Sequence, residues 1–106
     1  MIITPKRTTH PSVVTATWTK VSAIPSGMTS GHRKRLILVN EDTTNVWRFE
    51  IIQPNEAVPT LATEGLPLYP NGGCMVEDYT GCSTGDVYAY QASGGALTSL
   101  AVQEAV

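Results

Sequence analysis

Short stretches of apolar or alternating residues recur along the chain and are separated by turn residues. Residues 13–21 (VVTATWTKV) are β-branched and aromatic, and Arg35–Asn40 (RLILVN) is more continuously apolar, which is typical of a central strand. Residues 46–53 (VWRFEIIQ) alternate again. The pattern predicts roughly six to eight short strands and an all-β fold, a small antiparallel β-sandwich or jelly-roll-like barrel. Further strands are expected at 74–79, 87–92 and 97–102.

Two connections carry hairpin signals. EDTTN at 41–45 turns the chain between the second and third predicted strands, and the spacing predicts that those strands pair with each other. Ser93-Gly94-Gly95 separates the last two predicted strands in the same way.

Residues 63–77 (TEGLPLYPNGGCMVE) contain both prolines, which restrict the backbone conformation, and glycines, which allow conformations that other residues rarely adopt. Pro67 and Pro70 lock φ and exclude a central strand at those points. Asn71-Gly72-Gly73 can supply the positive φ of a tight turn. The stretch therefore predicts a rigid crossing between strands. The apolar residues within it are expected to seal one end of the core: Leu66, Leu68 and Tyr69.

Residues 1–12 show no periodicity and contain Pro5 and Pro11, each without a backbone donor. We interpret them as an extended N-terminal arm for which a neighbouring subunit is a natural support; a frayed terminus is the alternative. The expected organisation is an arm at 1–12 and a single β-sandwich domain at 13–106.

Charge is sparse and unevenly distributed. Charged residues make up 15% of the 106-residue chain, below the usual ~25%, and the net charge is -2. Residues 1–50 hold all seven basic residues and three acidic ones, whereas residues 51–106 hold six acidic residues and no basic one. Such asymmetry favours association of copies, basic patch to acidic patch. Alternatively, strands from the two halves interleave and the asymmetry disappears in space.

The sequence offers little for catalysis or metal binding. His10 and His32 lie in no HxH or HExxH spacing. The pairs Glu41-Asp42 and Glu77-Asp78 are adjacent, so in a strand their side chains point to opposite faces and form no carboxylate dyad. We expect no catalytic residue, no metal site and no cofactor.

Cys74 and Cys82 match no CxxC pattern. We expect free thiols in a reducing cytosol, with a disulfide across a turn as the alternative. No secretory signal is visible at 1–12 and no segment reaches the ~20 apolar residues of a spanning helix, which predicts cytoplasmic synthesis and no membrane association.

His32-Arg33-Lys34-Arg35 is a basic cluster that suits either a single-stranded nucleic acid or a protein partner. The net negative charge favours a partner-docking face without direct nucleic-acid binding. Trp18, Trp47 and Phe49 are expected to be core or interface anchors.

From residue 35 to 104 the chain resembles small virion proteins of tailed bacteriophages. The resemblance rests on a strand ending in Asn, a Ser/Thr turn, an apolar-aromatic strand start, a G-x-P-L-x-P-x-G stretch, a G-x-V-Y-A strand and a final V-x-E. In this sequence those elements are Asn40, Thr43-Thr44, Val46-Trp47, 65–72, 85–89 and 102–104.

The resemblance implies a non-enzymatic structural protein, a capsid decoration or cement protein on the outer head shell. The expected partners are the major capsid protein and further copies of the chain, and the expected location is the virion. A tail, fibre-base or head-to-tail component stays open, as does a carbohydrate-binding host-recognition module that uses Tyr69, Tyr79, Tyr88 or Tyr90. The residues expected to contact the partner are Lys6, Arg7, His32, Arg33, Lys34, Arg35, Leu68 and Tyr69.

Overall fold

The computed structural model describes residues 4–22, 33–53, 55–78, 85–93 and 97–106, and in these ranges the chain forms strands and turns without a helix. Alternation of buried and half-buried side chains is clearest in Arg35–Asn40, where every second residue is buried. The strands are β1 (Thr19–Lys20), β2 (Arg35–Asn40), β3 (Trp47–Ile52), β4 (Leu66–Leu68), β5 (Cys74–Glu77), β6 (Asp86–Tyr90) and β7 (Leu100–Ala105).

These strands form two antiparallel sheets. The first has the order β1-β6-β3-β4 and the second the order β5-β2-β7. The all-β prediction is confirmed, and the architecture is consistent with a small β-sandwich. The strands predicted at 74–79, 87–92 and 97–102 correspond to β5, β6 and β7, with β7 beginning three residues later than expected.

The predicted hairpin between β2 and β3 is wrong, because the two strands lie in different sheets. Asn40, at the end of β2, explains the change of sheet. Its Nδ2 donates to the carbonyls of Leu68 (2.8 Å) and Asn45 (2.9 Å), and its Oδ1 accepts the backbone N–H of Asp42 at 2.9 Å. These bonds tie the turn to β4 of the other sheet. The second predicted hairpin also fails, since β6 and β7 belong to different sheets, while Gly94 and Gly95 lie outside the described residues.

The predicted strand at 13–21 is mostly wrong, and only Thr19–Lys20 is a strand. Ala16 has a φ of 54°, which breaks the extended conformation. The hydroxyls of Thr17 and Thr19 donate to the carbonyls of Thr15 and Thr17 at 3.2 and 3.0 Å. Such local bonds compete with a ladder, so a run of threonines can leave the sheet despite its β propensity.

The core lies between the two sheets. Trp47 is fully buried at its centre, and its Nε1 donates to Ser99 Oγ at 3.0 Å, so the polar edge of the indole is satisfied. Trp18 and Phe49 are also buried, which confirms that these aromatic residues act as core anchors. The largest aliphatic contributors are Leu36, Leu38, Val87, Leu100 and Val102.

Residues 63–77 connect two strands, as predicted, and the two strands belong to different sheets. β4 is the outer strand of the first sheet and β5 the outer strand of the second. Pro67 lies within β4, on an edge strand where proline is tolerated. Asn71 (φ 64°) and Gly72 (φ 97°) supply the positive φ values of the turn.

The N-terminal segment lies along β7 of its own chain. The backbone N–H groups of Thr4, Lys6 and Thr9 donate to the carbonyls of Val106, Glu104 and Val102 at 2.6, 2.8 and 2.8 Å. The arm is extended, but its backbone support is intramolecular, in contrast to the neighbouring subunit expected from the sequence. Its side chains from residue 4 to residue 10 are exposed.

Candidate interaction surfaces

Within the described ranges, no three or more His, Cys, Asp or Glu side chains cluster closely enough to hold a metal ion. In the same ranges, no helix is long and apolar enough to cross a membrane.

Asp42 is a buried carboxylate with a structural role. Its Oδ1 accepts the backbone N–H groups of Thr44 and Asn45, both at 2.9 Å, and its Oδ2 accepts the Ser99 hydroxyl at 3.1 Å. The backbone donors of Thr44 and then Asn45, with side-chain donors from Asn45 and Ser99, hold the pKa of Asp42 well below its ordinary value. The carboxylate therefore stays ionised and fixes the turn between β2 and β3.

Arg33 is not a surface contact, contrary to expectation. It is 2% exposed, and its Nε donates to Oε2 of Glu104 at 2.8 Å; Glu104 is itself buried. An isolated buried guanidinium is costly, and pairing with a carboxylate offsets that cost. Arg33 therefore belongs to the interior next to β7.

The rest of the basic cluster divides into separate environments. Arg35 is half-exposed and its Nε donates to Asp78 Oδ1 at 2.9 Å, which links β2 to the end of β5. Lys34 is half-buried, and its backbone N–H donates to the carbonyl of Ala105 at 2.7 Å. His32 lies outside the described residues. The described part of the cluster is thus split between the interior and the surface.

Leu68 and Tyr69, neighbours in sequence, differ sharply in exposure. Leu68 is 4% exposed and belongs to the core, so the expectation that it contacts a partner is wrong. Tyr69 is 65% exposed and borders a cleft of about 290 Å³ together with Val46 and Pro67. Leu68 is the last residue of β4, whereas Tyr69 follows the end of the strand.

Lys6 and Arg7 are exposed on the segment that runs along β7. Lys34 lies across β7 from them, because its N–H donates to Ala105 on the β2 side, whereas Pro5 bridges to Ala105 from the other side. We call the surface made of Lys6 and Arg7 the basic edge. It groups two of the residues that the sequence nominated.

An apolar groove lies on the other side of the second sheet, between β5 and the β3–β4 pair. Its volume is about 280 Å³. Leu66 and Val76 on its walls are 62% and 57% exposed, unusually high for apolar strand residues. We call it the edge groove; its lining residues are Phe49, Glu50, Ile51, Leu66, Met75, Val76 and Glu77.

The edge groove was missed by sequence reasoning. Leu66 was expected to seal the core, and Val76 was read only as part of a strand. The one available signal was Pro67, which marks β4 as an edge strand and so allows an apolar neighbour to face solvent. β4 and β5 flank one groove because the chain passes from the first sheet to the second between them. No local sequence pattern indicates which sheet each strand joins.

Cys74 is an exposed free thiol at the start of β5. Cys82, its suggested partner in the disulfide alternative, lies outside the described residues.

No family model, curated protein or solved structure matches this chain.

Proposed function

We propose that this chain is a structural protein of a tailed-bacteriophage virion, a decoration or cement protein bound to the outer shell of the head. The observation that carries the proposal is the exposure of apolar side chains on a domain with few charges: Leu66 and Val76 on the edge groove, and Tyr69 beside a separate cleft. An apolar groove that is open to solvent marks a contact surface in soluble proteins. The bacteriophage resemblance of residues 35–104 supports the choice of partner, the major capsid protein.

The proposed role is non-enzymatic. Two buried carboxylates already have partners within the chain: Asp42 holds the turn after β2, and Glu104 pairs with Arg33. We therefore assign these groups to stability.

The mechanism is burial of apolar and charged surface across joints between shell subunits. Rigid surfaces bind with a smaller ordering cost, and Tyr69 is fixed between β4 and the Asn71-Gly72 turn. The shell offers many equivalent sites, and the chain is proposed to form oligomers. Avidity then makes the overall affinity for the shell much higher than that of a single weak contact.

A binding experiment tests this role. Purified protein is mixed with heads that lack it, and the bound fraction is measured by co-sedimentation. Tyr69→Ala and the double variant Lys6→Ser/Arg7→Ser are expected to weaken retention, because they remove exposed contacts without altering the core. Val14→Ala, an equally exposed apolar site on the β1 side, is the control. Unchanged retention of both contact variants contradicts the assigned surfaces.

A host-recognition module is the second candidate, favoured by the exposure of Tyr69 beside a cleft. An exposed aromatic ring can stack on a sugar. Tyr90 drops out of this alternative, because it is 6% exposed and its ring packs against Trp18 at 5.2 Å. Tyr79 lies outside the described residues, and Tyr88 is half-buried. Glycan-array binding that disappears in Tyr69→Ala supports this alternative over decoration.

A further inference from the structure

β5 is the outer strand of the second sheet, and its register with β2 determines where its backbone groups point. The N–H of Asn40 donates to the carbonyl of Gly73 at 2.8 Å. Hydrogen-bonded residues alternate along an antiparallel pair, so Met75 also bonds to β2. Cys74 and Val76 therefore direct their N–H and C=O groups away from β2. Among the described residues, no strand pairs with that side of β5.

The other three outer strands offer less to a further strand. The outer side of β7 holds the N-terminal segment, where the N–H of Lys6 donates to the carbonyl of Glu104 at 2.8 Å. β4 contains Pro67, which has no N–H, and β1 is two residues long. β5 contains neither proline nor lysine, so its backbone edge can accept another strand.

A second copy of β5 fits this edge in one antiparallel register. When the pair is centred on Met75, Cys74 of each copy lies opposite Val76 of the other. These are the residues whose backbone groups point outward, so each Cys74–Val76 pair exchanges two N–H···O bonds. A register centred on Cys74 instead places Val76 opposite Gly72, whose φ of 97° is not that of a strand.

The register centred on Met75 also keeps carboxylates apart. Glu77 of one copy lies opposite Gly73 of the other, so no two acidic side chains face each other across the new pair. A register centred on Val76 makes the two copies of Glu77 diagonal neighbours, roughly 7–8 Å apart, where like charges repel. Asp78, just after β5, is already paired with Arg35 of its own chain at 2.9 Å.

Pairing at this edge covers exposed apolar surface. Val76 is 57% exposed, and Leu66 on the facing wall of the edge groove is 62% exposed. An open backbone edge beside an apolar groove is the combination that strand addition uses, because main-chain bonds supply affinity and alternate side chains supply specificity. The apolar surface of Val76 is thereby assigned to a contact between copies.

We propose that this chain forms a two-fold dimer in which β5 of one copy pairs antiparallel with β5 of the other, centred on Met75. The two three-stranded sheets then form one continuous sheet. A second copy is the fitting occupant, because its β5 meets the outward backbone groups and keeps the copies of Glu77 apart. The contact is isologous, so it closes at a dimer. The basic edge lies beyond β7, at the opposite margin, and stays exposed.

This inference specifies the oligomer on which avidity in the proposed function depends, and in that respect it rests on the proposed function. The purified chain alone tests it, without any phage particle. A monomeric chain removes the dimer and leaves shell binding to the co-sedimentation experiment, whereas failure to bind heads leaves the dimer standing.

Sedimentation-velocity ultracentrifugation over a concentration series measures self-association, and we expect a monomer–dimer equilibrium with no larger species. Val76→Pro removes an N–H that points away from β2, so it spares the bonds to β2 and removes a donor to the second copy. We expect the dissociation constant of the dimer to rise at least about tenfold. Val76→Thr is the matched control, since it keeps the N–H and the β-branched shape.

Thermal unfolding shows whether Val76→Pro is folded. A wild-type chain that stays monomeric at every concentration overturns the proposal, and so does a folded Val76→Pro variant that dimerises like the wild type.

Disulfide trapping tests the register without relying on proline. In a Cys82→Ser background, Val76→Cys places a thiol opposite Cys74 of the other copy, with Cα atoms about 5.5 Å apart, a separation that a disulfide spans. The Cys82→Ser chain alone, and the same chain with Cys74→Ser/Val76→Cys, have only diagonal thiols, roughly 7–8 Å apart, and are the controls.

The three chains are oxidised with glutathione disulfide and compared on non-reducing gels. We expect the chain with both thiols to form a covalent dimer much faster than either control. Absence of that dimer, or equal rates in all three chains, contradicts the pairing of β5 with its copy.

Discussion

The hydroxyl of Ser99 donates to Oδ2 of Asp42 at 3.1 Å and so joins the β2–β3 turn to the residue before β7. The same hydroxyl accepts Nε1 of Trp47 at 3.0 Å. Through this one serine, a buried indole and an ionised carboxylate are linked. The linkage holds the change of sheet in place, since β2 and β3 lie on opposite sides of the core.

We predict that Asp42→Asn lowers the unfolding temperature at pH 7. An amide nitrogen in place of Oδ2 faces the Ser99 donor, and the charge that attracts the N–H groups of Thr44 and Asn45 is lost. Glu41→Gln is the control, because the Glu41 side chain is half-exposed and pairs with the exposed His10.

The effect of Asp42 depends on pH in a defined direction. Its pKa is lowered in the folded chain, so its contribution is fully present above the unfolded value of about 3.9 and is lost as pH falls further. The difference in unfolding temperature between wild type and Asp42→Asn should therefore shrink below about pH 4. A difference that grows on acidification contradicts the assignment.

Arg33 and Glu104 form a buried pair, and we predict that they are strongly coupled. Glu104→Gln or Arg33→Met alone leaves a poorly compensated buried group and should cost about 3–5 kcal/mol of unfolding free energy. The double variant should cost less than the sum. A double-mutant cycle by urea denaturation measures the coupling.

The exposed pair Arg35–Asp78 provides the comparison. Its side chains are 41% and 58% exposed, so disruption should cost about 0–1 kcal/mol. Equal costs for the two pairs contradict the burial of Arg33.

Leu66 and Leu68, two positions apart on β4, test the assignment of core and surface. Leu68→Ala should cost about 2–5 kcal/mol, because it opens a cavity beside the core. Leu66→Ala should stay within about 0.5 kcal/mol in the isolated chain. Chemical denaturation of both variants measures the two losses of unfolding free energy. A larger loss for Leu66→Ala than for Leu68→Ala contradicts the assignment of Leu68 to the core.

Two glycines frame β4 and the turn after it, and they should differ in their tolerance of alanine. Both have positive φ, 74° at Gly65 and 97° at Gly72. A Cβ at Gly65 lies 2.8 Å from the Trp18 ring and closer still to the Phe49 carbonyl, whereas a Cβ at Gly72 meets nothing within 4 Å.

Gly72→Ala therefore carries backbone strain alone, about 1–2 kcal/mol. Gly65→Ala should lose distinctly more, because a steric clash is added to the strain. Unfolding midpoints in urea compare the two variants, and equal losses show that the close approach of Trp18 and Phe49 is unimportant.

The sequence predicted the fold class well because composition and alternation are local properties. Trp47, Phe49 and the Asn71-Gly72 turn behave as their patterns indicate. Pairing was harder to predict. The chain does turn at EDTTN (41–45). The next strand, however, belongs to the other sheet, and the side-chain hydrogen bonds of Asn40 hold the turn there. One of these hydrogen bonds is made to the carbonyl of Leu68, which is distant in sequence.

The candidate site was predictable only in part. Lys6, Arg7 and Tyr69 are exposed as the contact hypothesis requires. Arg33 is buried against Glu104, which lies 71 residues later in the sequence. Residues 33–35 are all basic, but the fold therefore places them in different environments. The edge groove likewise arises where two distant strands end next to each other.

The most direct measurement for the proposed function is copy number. This chain is quantified against the major shell protein in purified particles by mass spectrometry with labelled reference peptides. Decoration of the head predicts many copies in a simple ratio to the shell protein. A few copies per particle, or none, contradicts the decoration role: a few place the chain in a tail, fibre base or connector, and none removes it from the virion.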